Sequence, residues 1–234
     1  VGIHIAEPSA LVEPGSLLDE EALERGTTIY LPERKIRMMP DILGDVLCSL
    51  NQGEVRPAFS YLITLDQDFQ VTSQKFQQSK ICVQRRLTYQ QADAMLGEDS
   101  DPVLAQLYKI ALALRQVRQA AGAITLPFPR ANIRVDRDDA GEPVIQIHRD
   151  PAEAPAQVLV SEMMIWANRI SGQYFAEHEI PAVFRSQPDP EKPIPPDVDP
   201  APENLHKLRR LMKKGEVSLK PSRHAGLGQI GRAH

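Results

Sequence analysis

Residues 58–87 constrain the fold more than any other stretch. From Ala58 to Leu65, and again from Phe69 to Leu87, side chains alternate and β-branched residues recur, as extended backbone with two unlike faces requires. Asp66-Gln67-Asp68 separates the two runs and marks a turn, so a long hairpin is expected. Two helical periods accompany it. Pro102 to Ala121 repeats Leu104, Leu107, Tyr108, Ala111, Leu112, Arg115 and Val117 along one side, and Gln157 to Ala176 carries Val160, Met163, Met164, Ala167, Ile170 and Tyr174 on one face. Together they predict an α+β chain, a mixed sheet with packed helices.

Shorter elements fill the intervals. Val1 to Ala6 is a buried strand with no cap or turn before it, from which further sequence is expected upstream. Ser9 to Val12 is a short apolar turn, and Pro14-Gly15-Ser16 is a turn supplying Ser16 as N-cap for a helix over Leu17 to Arg25. Asp19, Glu20 and Glu21 occupy its first turn, where the helix dipole favours acids. Thr88 caps a short helix over Tyr89 to Leu96. A second hairpin pairs Ile133 to Val135 with Val144 to Ile147 across Asp138-Asp139-Ala140-Gly141. Val183 and Phe184 suggest a short strand, and the proline-rich run Gln187 to Pro202 is expected to be an irregular connector. Asn204 to Lys214 is a basic helix, followed by glycine-loosened backbone at Ala225-Gly226-Leu227-Gly228.

Composition excludes several classes. The 234 residues are 42% hydrophobic and 25% charged, ordinary for a globular chain of one large or two small domains. A net charge of −4 argues against a module that binds nucleic acid through its whole surface field. A channel that threads a strand needs only a local positive lining, so the acidic balance leaves that possibility open. No apolar run approaches the roughly 20 residues of a membrane span, so no membrane partner is expected. Cys48 and Cys82 lack CxxC spacing, which indicates neither a disulfide framework nor a zinc site and implies a reducing, cytoplasmic compartment. His4, His148, His178 and His206 are scattered without HExxH spacing.

Within this frame, an ordered set of motifs is specific. Gly2-Ile3-His4-Ile5-Ala6-Glu7-Pro8-Ser9, Pro14-Gly15-Ser16 with Leu18-Asp19, Arg25-Gly26-Thr27-Thr28-Ile29-Tyr30-Leu31-Pro32, Met38-Met39-Pro40 and Leu47-Cys48-Ser49-Leu50 together resemble the RNB catalytic domain of the ribonuclease II and ribonuclease R family. Glu7 departs from that pattern, standing where the family has aspartate. Collinear similarity continues through Arg86-Leu87-Thr88-Tyr89, Val160 to Asn168, Val183-Phe184-Arg185 and His224 to Gly228. The resemblance implies an RNB-like catalytic domain over residues 1–234, truncated at both ends, with 187–202 as a connector inside it. It implies a hydrolytic, Mg²⁺-dependent 3′-to-5′ exoribonuclease that acts on single-stranded RNA and releases nucleoside 5′-monophosphates. The family's metal-binding aspartates (a DxDDA-type motif) and its catalytic arginine would lie in flanking sequence, so no catalytic or metal-binding residue is expected within this chain. The isolated piece is expected to be inactive or nearly so.

The same resemblance nominates an RNA path of Tyr30, Tyr89, Leu126, Glu162, Asn168 and Arg185. Tyr30 aligns with a tyrosine that stacks on the terminal nucleotide; without the surrounding motif it would read as a strand-end tyrosine packed on the core. Tyr89 aligns with a tyrosine near the terminal ribose, or is simply a first-turn helix residue. Leu126 stands where a phenylalanine closes the base clamp, and Phe128, two residues on, could serve instead. Ser161 replaces a glutamate that contributes to sugar discrimination in some members. Glu162, on an apolar helix, needs either a structural partner or an RNA contact. Asp136-Arg137-Asp138-Asp139-Ala140 spells the metal motif but abuts Gly141-Glu142-Pro143 at a hairpin tip, where a solvated turn is the expectation. Lys207, Arg209, Arg210, Lys213 and Lys214 either meet phosphates or form a solvated helix face, the latter being the usual fate of charge runs. The alternative to an enzyme is a non-catalytic relative that binds RNA or protein.

Overall fold

The computed structural model describes residues 1–32, 34–125, 130–138, 141–150, 153–192, 194 and 201–233. The chain divides into two compact units, Val1–Thr88 with Ala131–Arg149, and Tyr89–Arg130 with Asp150–His234.

In the first unit, strand β1 (Gly2–Ala6) leads to helix α1 (Leu17–Arg25), then to a small hairpin of β2 (Ile29–Tyr30) and β3 (Lys35–Ile36). A widened helical turn over Ile42–Leu47, which the sequence had not signalled, precedes the long strands β4 (Val55–Leu65) and β5 (Val71–Cys82). The order β1-β4-β5 is antiparallel throughout, with Ile3 opposite Tyr61 and Ala58 opposite Ser79. β4 is central, so Ala58, Tyr61 and Ile63 are buried with Ile3 of β1. Ser16 caps α1 by accepting from the Asp19 amide at 3.4 Å, and Gly26 ends the helix at φ +67°, a conformation glycine adopts without penalty.

The long hairpin differs from expectation at both ends of β5. Phe69 has φ +58° and closes the turn rather than starting the strand. Asp66 Oδ1 accepts from the amides of Asp68 and Gln70, which holds that turn. Beyond Cys82 the chain leaves its partner: Val83 bridges Gln52 in parallel, and the Arg86 amide donates to the Gln52 side chain. The second hairpin, β6 (Arg130–Arg137) and β7 (Pro143–Asp150), is longer than the pattern suggested.

The second unit is built on helices α2 (Tyr89–Gly97), α3 (Pro102–Ala120) and α4 (Pro155–Glu177), the last packing against both others. Asp101 caps α3 by accepting from the Leu104 amide at 2.9 Å, with Pro102 opening the first turn. No side chain of its own caps α4; Asp93 of α2 reaches across to accept from the Ala156 amide at 2.8 Å. Met163, Trp166, Ala167 and Ile170 face inward from α4.

The remainder is made of short pieces: β8 (Phe184–Ser186), α5 (Pro202–Leu211), β9 (Glu216–Ser218), β10 (Arg223–His224), β11 (Gln229–Ile230) and β12 (Arg232–Ala233). Antiparallel pairs give the order β12-β8-β9 and a β10-β11 hairpin. Two expectations change here. α5 ends at Leu211, so Lys213 and Lys214 lie beyond it and the basic run is not one helical face. The stretch Ala225 to Gly228 is not loosened but forms the tight turn of β10-β11, with the Leu227 and Gly228 amides donating to the His224 carbonyl and Gly228 at φ +65°. Ala225 there is fully buried.

Candidate nucleic-acid interface

Tyr30 ends β2 and stands directly opposite Lys35 of β3, so their side chains share one face of the small hairpin. Tyr30 is 72% exposed, which excludes the core-packing alternative. The Lys35 Nζ lies over the ring, 5.7 Å from its centroid. The two residues line a cavity of about 210 Å³ together with Thr28, Arg37, Met38 and Asp45. Local bonds hold this wall: Thr28 Oγ1 accepts from the Met38 amide at 3.1 Å, while Arg37 pairs with Asp41 at 3.0 Å and also with Asp45. Arg25 is held in turn, pairing with Glu21 at 2.6 Å and donating to the Arg37 carbonyl at 2.8 Å. An adjoining cavity of about 330 Å³ shares Lys35 and Arg37 and adds Arg25 and Arg34. An exposed aromatic face ringed by cations suits a base with its phosphate. The cations themselves were not singled out from the sequence, although Lys35 and Arg37 alternate around Ile36 shortly after Tyr30.

The other nominated residues are distributed differently. Tyr89 opens α2, half exposed, in the second unit, whereas Tyr30 belongs to the first. Leu126 and Phe128 lie outside the described residues. Of the two readings open for Glu162, the structure shows the structural partner: the residue is 3% exposed, and Arg118 of α3 donates to it through Nε at 2.9 Å and through a terminal nitrogen at 2.5 Å. The other terminal nitrogen of Arg118 donates to the Leu227 carbonyl at 3.3 Å, tying α3 and α4 to the β10-β11 turn. The Glu162 carboxylate is thus engaged within the second unit. Arg118 was missed, although it extends the spacing of Ala111 and Arg115 along the apolar side of its helix. Asn168 is half-buried and donates to the Met164 carbonyl of its own helix at 2.8 Å. Ser161 is exposed and likewise donates to the Val158 carbonyl. Arg185 is exposed on β8, between the buried Phe184 and Ser186 and directly opposite Arg232 of β12.

Of the motif that begins at Asp136, Asp136 and Arg137 end β6 and Asp138 opens the connection to β7. Asp138 Oδ1 accepts from the Glu142 amide at 2.9 Å and its carbonyl from the Gly141 amide, while Asp136, Arg137 and Asp138 are exposed; Asp139 and Ala140 lie outside the described residues. Among the described residues, no three His, Cys, Asp or Glu side chains converge as a metal site requires. Among them too, no helix is long and apolar enough to cross a membrane. His224 is half-buried with a buried Nδ1 that meets no hydrogen-bond partner. Burial, then the nearby Arg185 charge, hold its pKa below the ordinary imidazole value, against a backbone hydrogen bond that favours the charged ring.

The fold recurs in solved structures of other proteins. It is shared with ribonuclease R of Mycoplasma genitalium in its apo form, at a TM-score of 0.83 and 20% identity over all of this chain and 42% of that one. It is also shared with yeast Ssd1, described as a pseudonuclease, at a TM-score of 0.72 and 16% identity over 99% of this chain and 33% of that one. The class is thus an α+β domain of the ribonuclease R fold. Residues 1–232 match the RNB domain, and the chain belongs to the RNB family. It is 38% identical to a ribonuclease of Synechocystis over 97% of this chain and 34% of that protein. It is 30% identical to the chloroplastic/mitochondrial ribonuclease II of Arabidopsis thaliana over 99% of this chain and 29% of that protein. The chain therefore spans roughly a fifth to a third of the length of the relatives it matches.

Proposed function

We propose that this chain is part of a hydrolytic 3′-to-5′ exoribonuclease that takes single-stranded RNA, depends on Mg²⁺ and releases nucleoside 5′-monophosphates. The observation that carries the proposal is the RNB match over residues 1–232 combined with an exposed Tyr30 beside the Lys35 ammonium. The role of these residues is to receive and orient an unpaired end: Tyr30 offers a π-face that any base can use, and in the second unit Tyr89 and Arg185 offer exposed polar groups. Magnesium, held by carboxylates from flanking sequence, would supply activated water and neutralise the leaving oxygen. Cys48 and Cys82 both stand unpaired, which supports a reducing, cytoplasmic setting.

The test uses the longer natural chain with Mg²⁺ and 5′-labelled RNA carrying a free single-stranded 3′ end. Progressive shortening from that end with release of mononucleotides is expected, lost on chelation and absent for the 234-residue piece alone. Intact RNA in the presence of the longer chain would reject the catalytic reading. A non-catalytic, RNA-binding relative is the second reading, supported by Ser161 turning back on its own helix and by the occurrence of the same fold in a pseudonuclease. It predicts RNA binding without shortening in the same assay.

A further inference from the structure

We propose that Lys35 is a phosphate-binding residue that selects the charged backbone of the nucleotide stacked on Tyr30; the idea rests on the stacking role given to Tyr30 above. The cross-strand register places both side chains on one face of the β2-β3 hairpin, with the ammonium 5.7 Å from the ring centroid. A stacked nucleotide carries its phosphate at the rim of its base, a short swing from an ammonium that lies over the ring on a flexible stem. Lys35 also borders both neighbouring cavities, of about 210 Å³ and about 330 Å³, so it stands between the space beside Tyr30 and the space beyond.

The surrounding cations differ in availability. Arg37 is neutralised by Asp41 and Asp45, and Arg25 by Glu21. Among the described residues no carboxylate pairs with Lys35, whose present partner is the aromatic face. An exposed cation–π contact is weak, whereas an ammonium–phosphate bond is charge-assisted on both sides, so an arriving phosphate draws the lysine off the ring. Lysine suits the exchange, being a compact charge on a flexible stem. The swing also uncovers the ring face as the phosphate is gripped, coupling the two contacts.

The experiment measures binding of a short oligo(A) to the longer natural chain in a chelator, so that RNA is not consumed, across a series of salt concentrations. Neutralising one phosphate of a single strand contributes about 0.7 to the slope of log K against log salt. Lys35→Met is expected to flatten the slope by about that amount, and Lys35→Arg to keep it. Lys75→Met removes the same charge from β5 and should leave the slope in place. Tyr30→Ala should weaken binding roughly 5- to 150-fold with the slope unchanged, and Tyr30→Phe should bind as the parent does. An unchanged slope in Lys35→Met, or an equal change in Lys75→Met, overturns the phosphate role while leaving stacking intact. Full affinity in Tyr30→Ala removes the stacking platform, and the lysine proposal falls with it.

Discussion

At the scale of single residues, the pair of Arg118 and Glu162 carries the largest consequence. Two charges taken from water are tolerable only while each satisfies the other, and here the guanidinium fork meets both carboxylate oxygens. Glu162→Ala leaves Arg118 buried and uncompensated, and is expected to cost about 3–5 kcal/mol. Replacing both residues by methionine should recover most of that loss, because no orphaned charge remains. Denaturant unfolding of the two variants checks this: if the double variant is as unstable as the single one, the pair itself, and not the stranded charge, is what matters. Tyr30 contrasts with this pair, since little in the fold depends on a side chain so exposed, and its substitution should move binding but not stability.

Among the elements, the β8-β12 seam is the most sterically determined. A Cβ at Gly231 would fall 1.8 Å from the Arg185 carbonyl oxygen, an overlap that only a shift of the strand backbone could relieve. Gly231→Ala is therefore expected to lower stability by about 3 kcal/mol or more and to detach β12. Gly215→Ala, whose Cβ would sit an ordinary 3.5 Å from the Ser186 carbonyl, is the control and should change stability by about 0.5 kcal/mol or less. The β10-β11 hairpin beside this seam should be sensitive to acid. Folding lowers the pKa of His224, so the unfolded chain binds the proton more readily. The stabilising effect is fully present above the unfolded imidazole pKa of about 6.5 and is lost as pH falls below it, towards the lower folded value. Unfolding measured from neutral pH downward should show this loss, and His224→Gln should remove that component of the slope.

For the whole molecule, charge sets the expected mode of binding. A net charge of −4 gives no general attraction for polyanions, so affinity must come from local clusters such as that around Tyr30. We expect the 234-residue chain to bind oligo(A) weakly, with a Kd of about 10⁻⁴ to 10⁻⁶ M at physiological salt, and more tightly as salt is lowered. Fluorescence anisotropy would measure this. Affinity indifferent to salt would contradict a phosphate-directed surface, and no affinity at all would favour a purely structural domain.

Local rules were enough to place most of the elements from the sequence. Ser16 and Gly26 bracket α1, Asp101 and Pro102 open α3, and the alternation through β4 and β5 forms the long hairpin, because caps, turn residues and periodicity act over a few neighbouring positions. The ordered motifs from Gly2 to Leu50 likewise made the family legible. Only the tertiary structure decided what long-range partners decide. Glu162 is paired rather than presented because Arg118 lies 44 positions earlier in the chain, and α4 is capped by Asp93 from a different helix. Gly228 and Gly231 serve close approach rather than flexibility because Arg118 and Arg185 backbone atoms lie against them. Tyr30 is a surface platform because β2-β3 leaves its ring to solvent under Lys35, a relation set by register between strands and by which faces the rest of the unit covers.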